Sequence, residues 1–458
     1  MENFRNKKVL IFGLGLNDGG LGMAEFFLEQ GSIVTITDGK TEKELEKTLL
    51  KLKKYGNQVI YHLGGHIKED FENNDIIVRN PAIRRDNEWL EIARNAGKKI
   101  YMEMALFHEL CPSPIIGITG TRGKSTTTSL INEFLKEKYK ERVFLGGNIG
   151  KSAIRELSNI TKENLVVLEI SSFQLDGMGE SKISSGTAVV TNMYQDHLNW
   201  HVDMNDYIET KKNIFKYQTK EDRLIVNIDN EITKEFVKEA KGKVTTYSLK
   251  DSTADYYLSN MKVYEKGNEI LEIKELILDG EHNLYNILAA IATVRDFNVE
   301  TNHILNVLKI FTGVDGRQQL VRELNGIKFY NDTTATSVEA MLAMFDRFGE
   351  KNKGKMIMIA GGVDKGLKYE KITPYMNKYL KALVLFEGTA SERIFDSIEN
   401  TNMVYKYFSN METALKKAYE LADNGDMIIL CPGGSSFNMF ANEFDRGDQF
   451  VEQVKKLK

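Results

Sequence analysis

A chain of 458 residues is too long for one hydrophobic core and predicts roughly two to four domains. Its 42% hydrophobic and 10% aromatic content and its net charge of −4 exclude a disordered chain and give no sign of a nucleic-acid partner. With two cysteines far apart (Cys111 and Cys431), no leader-like apolar stretch at the start and no run long enough to span a bilayer, a disulfide framework and a membrane span are excluded and a cytoplasmic setting is expected.

In chain order, Lys8-Val-Leu-Ile-Phe12 reads as a buried strand, followed by the glycine loop Gly13-Leu-Gly-Leu-Asn-Asp-Gly-Gly-Leu-Gly22 and a helix through Glu29. A second strand, Ile33-Val-Thr-Ile-Thr37, ends at Asp38, an acidic residue placed to meet a ribose or base. This is a Rossmann-like opening. The strict dinucleotide fingerprint fails because its third glycine falls at Asp18, which favours a nucleotide diphosphate over a dehydrogenase cofactor. Strand and helix alternation continues to Leu110, where Cys111-Pro-Ser-Pro114 predicts a hinge.

Next comes Gly117-Ile-Thr-Gly-Thr-Arg-Gly-Lys-Ser-Thr126, between a short apolar strand and a stretch with helical spacing. Strand, glycine loop and helix in that order make a phosphate cradle. Backbone N–H groups and the helix N-terminus face the anion, Lys124 adds a cation and Ser125 can ligate Mg²⁺. Further strands are predicted at 142–145, 165–170, 187–191 and 223–226, then at 356–360, 381–386 and 427–431. Glu169 ends one of these strands opposite the loop, where a hard cation finds oxygen donors.

The pattern Thr-Gly-Thr-x-Gly-Lys-Ser-Thr resembles the phosphate loop of the Mur ligases and folylpolyglutamate synthetases, which use ATP to join a carboxylate to an amine. Other segments resemble Mur ligases in the same order along the chain. They are Glu169-Ile-Ser-Ser-Phe-Gln-Leu175, Tyr194-Gln-Asp-His197, Tyr207-Ile-Glu-Thr-Lys211, Gly280-Glu-His-Asn-Leu-Tyr-Asn286, Gly313-Val-Asp-Gly-Arg317, Tyr330-Asn-Asp332 and Cys431-Pro-Gly-Gly-Ser-Ser436. The resemblance implies an α/β protein of three domains. These are a Rossmann-like domain (1–112) for a UDP-linked substrate, a central P-loop ATPase-like domain (113–312) and a C-terminal Rossmann-like domain (313–458) for an amino acid.

It further implies a monomeric enzyme with ATP, two Mg²⁺ sites and a lysine carbamylated by CO₂. Within the family the likeness is to members that add D-glutamate to UDP-N-acetylmuramoyl-L-alanine through an acyl phosphate, in peptidoglycan precursor synthesis. Site residues carry over position by position. ATP would meet Gly120, Thr121, Gly123, Lys124, Ser125, Thr126, Asn283, Asn286, Arg317 and Asp332. The UDP-linked substrate would meet Gly15, Leu16, Asn17, Asp38, Asn148 and Ser171. The amino acid would meet Thr336, Lys365 and Ser436. Metal would be held by Ser125, Glu169, His197 and carbamylated Lys211, with Lys124, His197 and Lys211 in catalytic roles.

Two departures fall around the incoming amino acid. The family's Asn-Asp-Ser-Lys-Ala-Thr reads Asn331-Asp-Thr-Thr-Ala-Thr336 here, and its Asn-Phe-Glu-x-Arg-Gly reads Asn442-Glu-Phe-Asp-Arg-Gly447. L-glutamate or another amino acid is therefore the first alternative. A folylpolyglutamate synthetase would not need the N-terminal glycine loop and Asp38. A P-loop kinase would not need both a UDP-linked acceptor and an amino acid.

Overall fold

The computed structural model describes residues 4–15, 18–148, 152–198, 200–273, 276, 278, 280–364, 366–436 and 439–458. The chain forms two compact units, Met1–Ile310 and Phe311–Lys458. The first unit holds two sheets. Parallel strands Lys8–Phe12 (β1), Ile33–Asp38 (β2), Val59–Leu63 (β3), Ile76–Arg79 (β4) and Lys99–Tyr101 (β5) lie in the order β3-β2-β1-β4-β5. β1 is apolar and buried from Val9 onward, as a central parallel strand covered on both faces must be.

The second sheet has nine strands: Ile115–Thr119 (β6), Val143–Gly147 (β7), Leu165–Glu169 (β8), Thr187–Val190 (β9), Arg223–Asn227 (β10), Lys243–Ser248 (β11), Tyr256–Ser259 (β12), Lys262–Glu265 (β13) and Asn268–Glu272 (β14). β6 lies between β8 and β9, parallel to both, so the C-terminal ends of all three open toward the same edge. That edge is where ligands gather in open α/β sheets.

The expected 112/113 boundary falls between these sheets. One hydrophobic cluster runs from Val9 and Phe27 through Met104 and Phe107 to Val166, Leu175 and Phe236, and the rings of Phe107 and Phe144 stack 6.4 Å apart. Residues Cys111–Pro114 link these two sheets, whose facing residues belong to one hydrophobic cluster.

The second unit, beginning two residues before the expected position, has one six-stranded sheet. Gln319–Leu324 (β15), Ile327–Asn331 (β16), Met356–Ala360 (β17), Leu380–Phe386 (β18), Val404–Phe408 (β19) and Met427–Leu430 (β20) lie in the order β15-β16-β20-β17-β18-β19. All neighbours are parallel except the β15–β16 hairpin. Among the described residues, no helix is long and apolar enough to cross a membrane.

Candidate active site

The loop after β6 turns into the helix Lys124–Tyr139 through Gly123, whose φ of +81° is in the left-handed region. A Cβ there would lie 2.2 Å from Asn286 Oδ1, so glycine alone permits this approach. Asn286 accepts from Thr127 Oγ1 at 3.3 Å and donates to Asn283 Oδ1 at 3.2 Å, both on or beside its own helix and the loop. Its amide therefore braces the phosphate loop. The segment after β9 laces the loop from the other side. Thr121 N–H donates to Asn192 O at 2.9 Å, and Arg122 N–H to Asn192 Oδ1 at 2.9 Å. Thr191 Oγ1 donates to Arg122 O at 2.6 Å.

Lys124 folds back over this loop, its Nζ 3.0 Å from the carbonyls of both Gly120 and Thr121. The Ser125 hydroxyl and Glu169 Oε2 are buried and have no hydrogen-bond partner. Glu169 sits at the end of β8 in register with Ile118 of β6, one residue before Thr119 and the loop. Orphaned oxygens of a hydroxyl and a carboxylate are the donor chemistry that Mg²⁺ takes, so these residues fit the ion. Among the described residues no group of three or more His, Cys, Asp or Glu forms a cage. Ser125 and Glu169 would give such an ion two oxygens, leaving the rest of its shell to ligand oxygens and the other residues expected at the metal.

Lys211, on the helix Met204–Lys212, is buried and donates to Thr119 Oγ1 at 3.0 Å and Gly120 O at 2.9 Å. Burial, reinforced by the charge of Lys124, drives its ammonium well below the usual lysine range, with Asp196 and Glu169 opposing. Lys212 instead pairs with Glu209 and Glu239 at 2.8 Å. The two adjacent lysines are thereby distinguished. His197 has a φ of +53° and half-exposed imidazole, 4.9 Å from the Phe173 ring. Burial lowers its pKa, Asp196 opposes, and Lys124 and Lys211 add to the lowering. Tyr207 OH lies 3.1 Å from Thr121 Oγ1, and burial pushes this phenol up to about 12.

In the N-terminal sheet, Asp38 uses both oxygens on backbone amides, accepting from Gly15 at 2.9 Å and Lys40 at 2.9 Å. Its carboxylate shapes the glycine loop. Leu16 and Asn17, expected on the UDP-linked substrate, lie outside the described residues. The third-glycine position is explained by packing. Asp18 starts the helix Asp18–Glu29 and pairs with Arg155 at 2.9 Å, while the close approach to the strand loop falls to Gly20, where a Cβ would meet Leu14 O at 2.2 Å. Asn148 and Ser171, also expected on that substrate, both lie beside Glu169. Asn148 Nδ2 donates to Glu169 Oε1 at 3.0 Å, and Ser171 forms a capping box with Gln174 at the head of the helix Ser172–Glu180.

Three family models match the chain: "Mur ligase MurD-like, N-terminal domain" over residues 7–102, "Mur ligase middle domain" over 118–294 and "Mur ligase, glutamate ligase domain" over 316–434. A protein of Acetivibrio thermocellus named UDP-N-acetylmuramoylalanine--D-glutamate ligase is 39% identical, spanning 100% of this chain and 98% of its own length. The chain belongs to the Mur ligase family. A relative of the same name from Roseiflexus is 37% identical over 98% of this chain and 99% of its own. Among solved structures, UDP-N-acetylmuramate-alanine ligase MurC of Thermotoga maritima covers 99% of this chain and 100% of its own at 20% identity, with a TM-score of 0.59. MurF of Acinetobacter baumannii covers 98% and 93% at 16% identity, with a TM-score of 0.60. Both show the shared fold.

The second unit of this Mur ligase carries the remaining expected residues. Asp332 is buried at the end of β16, accepts from Gln318 N–H at 3.1 Å and leaves Oδ2 without a partner. Arg317 is exposed and contributes a favourable charge to Asp332. Ser436 Oγ is buried and unpartnered, whereas Thr336 is half-buried. Thr334, standing at the family's lysine, donates to Gly316 O at 3.0 Å. Lys365 lies outside the described residues. Sequence reading missed Thr191, Asn192 and Tyr207, which shape the loop; only their place directly after a strand end or before Lys211 marked them.

Proposed function

We propose that this chain is an ATP-dependent ligase joining D-glutamate to UDP-N-acetylmuramoyl-L-alanine, acting as a monomer in the cytoplasm. The observation that carries the reading is Lys211, a buried amine held on the phosphate loop beside Lys124 and within the field of Glu169. A structural lysine is not buried next to a second cation without cause. The full-length relatives named for this reaction support the substrate assignment. Domain limits of 1–112, 113–312 and 313–458 belong to the same proposal.

When bound, ATP supplies the phosphoryl group and Mg²⁺ supplies Lewis acidity at its oxygens. Lys124 and the N-terminal amides of its helix neutralise phosphate charge. Ser125 and Glu169 would present oxygens to the metal, and Lys211, as its carbamate, would add an anion there. The acceptor carboxylate takes the γ-phosphoryl group of ATP and releases ADP, and the amine of glutamate then displaces phosphate from the acyl phosphate. His197, kept neutral by burial, has a lone pair for the metal or for a proton of the incoming ammonium. Gly15, Leu16, Asn17, Asp38, Asn148 and Ser171 are assigned to the UDP-linked substrate, with Asp38 and Asn148 acting through the glycine loop and Glu169. Arg317 and Asp332 are assigned to the nucleotide, and Thr336, Lys365 and Ser436 to the amino acid.

The test is ATP-dependent phosphate release with the UDP-linked acceptor and a panel of amino acids. Release that requires both acceptor and D-glutamate is expected. Preference for L-glutamate would replace the amino acid and keep the ligase. Release without an acceptor would remove the reading.

A further inference from the structure

The loop after β4 touches both halves of the first unit. Asn80 donates to Gly13 O at 3.1 Å and through its backbone to Phe12 O at 2.9 Å, which seats the loop on the N-terminal glycine turn. Further along the same loop, Arg85 reaches across to the nine-stranded sheet. Its two terminal nitrogens meet two different carboxylates, Nη1 on Asp176 and Nη2 on Asp206. Asp176 belongs to the helix Ser172–Glu180 that follows Glu169, and Asp206 to the first turn of the helix carrying Tyr207 and Lys211. Arg84 adds a bond to the carbonyl of Trp200, in the segment that holds His197.

We infer that Arg85 is a positioning residue for the ligation proposed above: it fixes the Lys211 helix relative to the substrate-side loop through Asp206 and Asp176. It touches no reacting atom. A forked guanidinium holding two carboxylates sets an angle between two helices, which a point charge cannot do. From Asp206 the path is short, since Tyr207 meets Thr121 at 3.1 Å and Lys211 meets Gly120 at 2.9 Å. A shift of about 1 Å at such groups costs a rate factor on the order of 10².

Arg85 is not what keeps these groups folded. Its side chain is 46% exposed, whereas the fully buried Arg79 stays on the other oxygen of Asp176 at 2.6 Å. Asp206 also keeps His201 Nδ1 at 3.3 Å and the N–H of Val202 at 3.2 Å. Removing Arg85 therefore strands no buried charge.

The experiment compares Arg85→Met, Arg85→Lys, Asp206→Asn and the double variant Arg85→Met/Asp206→Asn in the full chain, by phosphate release and thermal melting. Arg85→Met is expected to lower kcat roughly 10- to 100-fold, with KM for ATP within about threefold and a melting temperature close to wild type. Arg85→Lys should recover only part of the rate, and the double variant should lose less than the two single losses combined, because Arg85 and Asp206 share one contact while Asp206 keeps its own bonds to His201 and Val202. An unchanged kcat in Arg85→Met, an additive loss in the double variant, or an unfolded Arg85→Met each overturns the inference. Active wild type with an unaffected variant removes this role alone. Inactive wild type removes the functional reading and this role with it.

Discussion

Lys124 and Lys211 donate to the same carbonyl oxygen, that of Gly120, at 3.0 and 2.9 Å. Two ammonium ions on one acceptor in a buried setting repel each other. Burial and the charge of Lys124 together drive the Lys211 ammonium well below the usual lysine range. A neutral amine is the form that attacks CO₂, so the contact that makes Lys211 uncomfortable as a cation also makes it reactive as a nucleophile. Conversion to a carbamate replaces the repulsion with an attraction to Lys124 and to a bound metal.

Lys211 is therefore expected to carry a carbamate. Lys211→Ala should lose most of its ligation rate and regain part of it with a small added carboxylate that restores the anion. Depleting CO₂ should lower wild-type activity, and bicarbonate should restore it. Lys212→Ala removes ion pairs with Glu209 and Glu239 and a contact with the Phe236 ring, none of them on the phosphate loop, so little change in rate is expected. Steady-state rates for the two variants decide; the reverse ranking would reassign the modified residue.

Lys124→Ala is expected to fold and to lose ligation by a factor on the order of 10²–10³, the cost of one preorganised charge contact. Circular dichroism checks the fold and phosphate release the rate. Near-wild-type turnover in a folded protein would remove ATP from the loop.

The parts of this chain that could be read in sequence are those whose cause is local. β1 and β17 are short unbroken apolar runs, and the phosphate loop is a run of glycines between a strand and a helix. Strands β12–β14 escaped because their residues are largely charged or tyrosine and only one face is covered, which leaves no apolar run. The β15–β16 hairpin did carry a signal. Asn325-Gly326 has φ values of +53° and +75°, the two left-handed residues that a two-residue hairpin turn requires. At the site, spacing located Lys211 but not its burial, and the bracing of the loop by Thr191 and Asn192 ends on the loop's own backbone groups, which no side-chain pattern reveals.

Asp18→Gly recreates the spacing of a dinucleotide loop, yet the structure gives that position to the pair with Arg155 and to the amide of Ser152 at 3.1 Å. The close approach between helix and strand loop is already supplied by Gly20. The variant is expected to lose on the order of 1 kcal/mol through the lost helix-start charge and ion pair. It should gain no affinity for NAD or NADP. Thermal melting and cofactor titration check both halves; tight dinucleotide binding by the variant would restore the dehydrogenase reading of this loop.

Asp332 makes the pH dependence of the ligand-free protein testable. Burial raises its carboxyl from 3.8 to about 7, against the opposing bond from Gln318 and the charges of Arg317 and Arg347. A raised acid favours folding in its protonated form. Its contribution is full below the unfolded value and is lost as pH climbs through the folded value near 7. Three units correspond to about 4 kcal/mol between those limits. Asp332→Asn keeps the shape and removes the titration, so its melting temperature should vary less between about pH 5 and 8 and exceed that of wild type at the upper end. Nucleotide affinity should move the other way. The ionised carboxylate, with Oδ2 unpartnered, is the better acceptor for a ligand hydroxyl, so wild-type affinity for an ATP analogue should rise across the same range. The variant should bind more weakly and without that rise. Parallel pH profiles of melting in the two proteins would show that Asp332 does not titrate there.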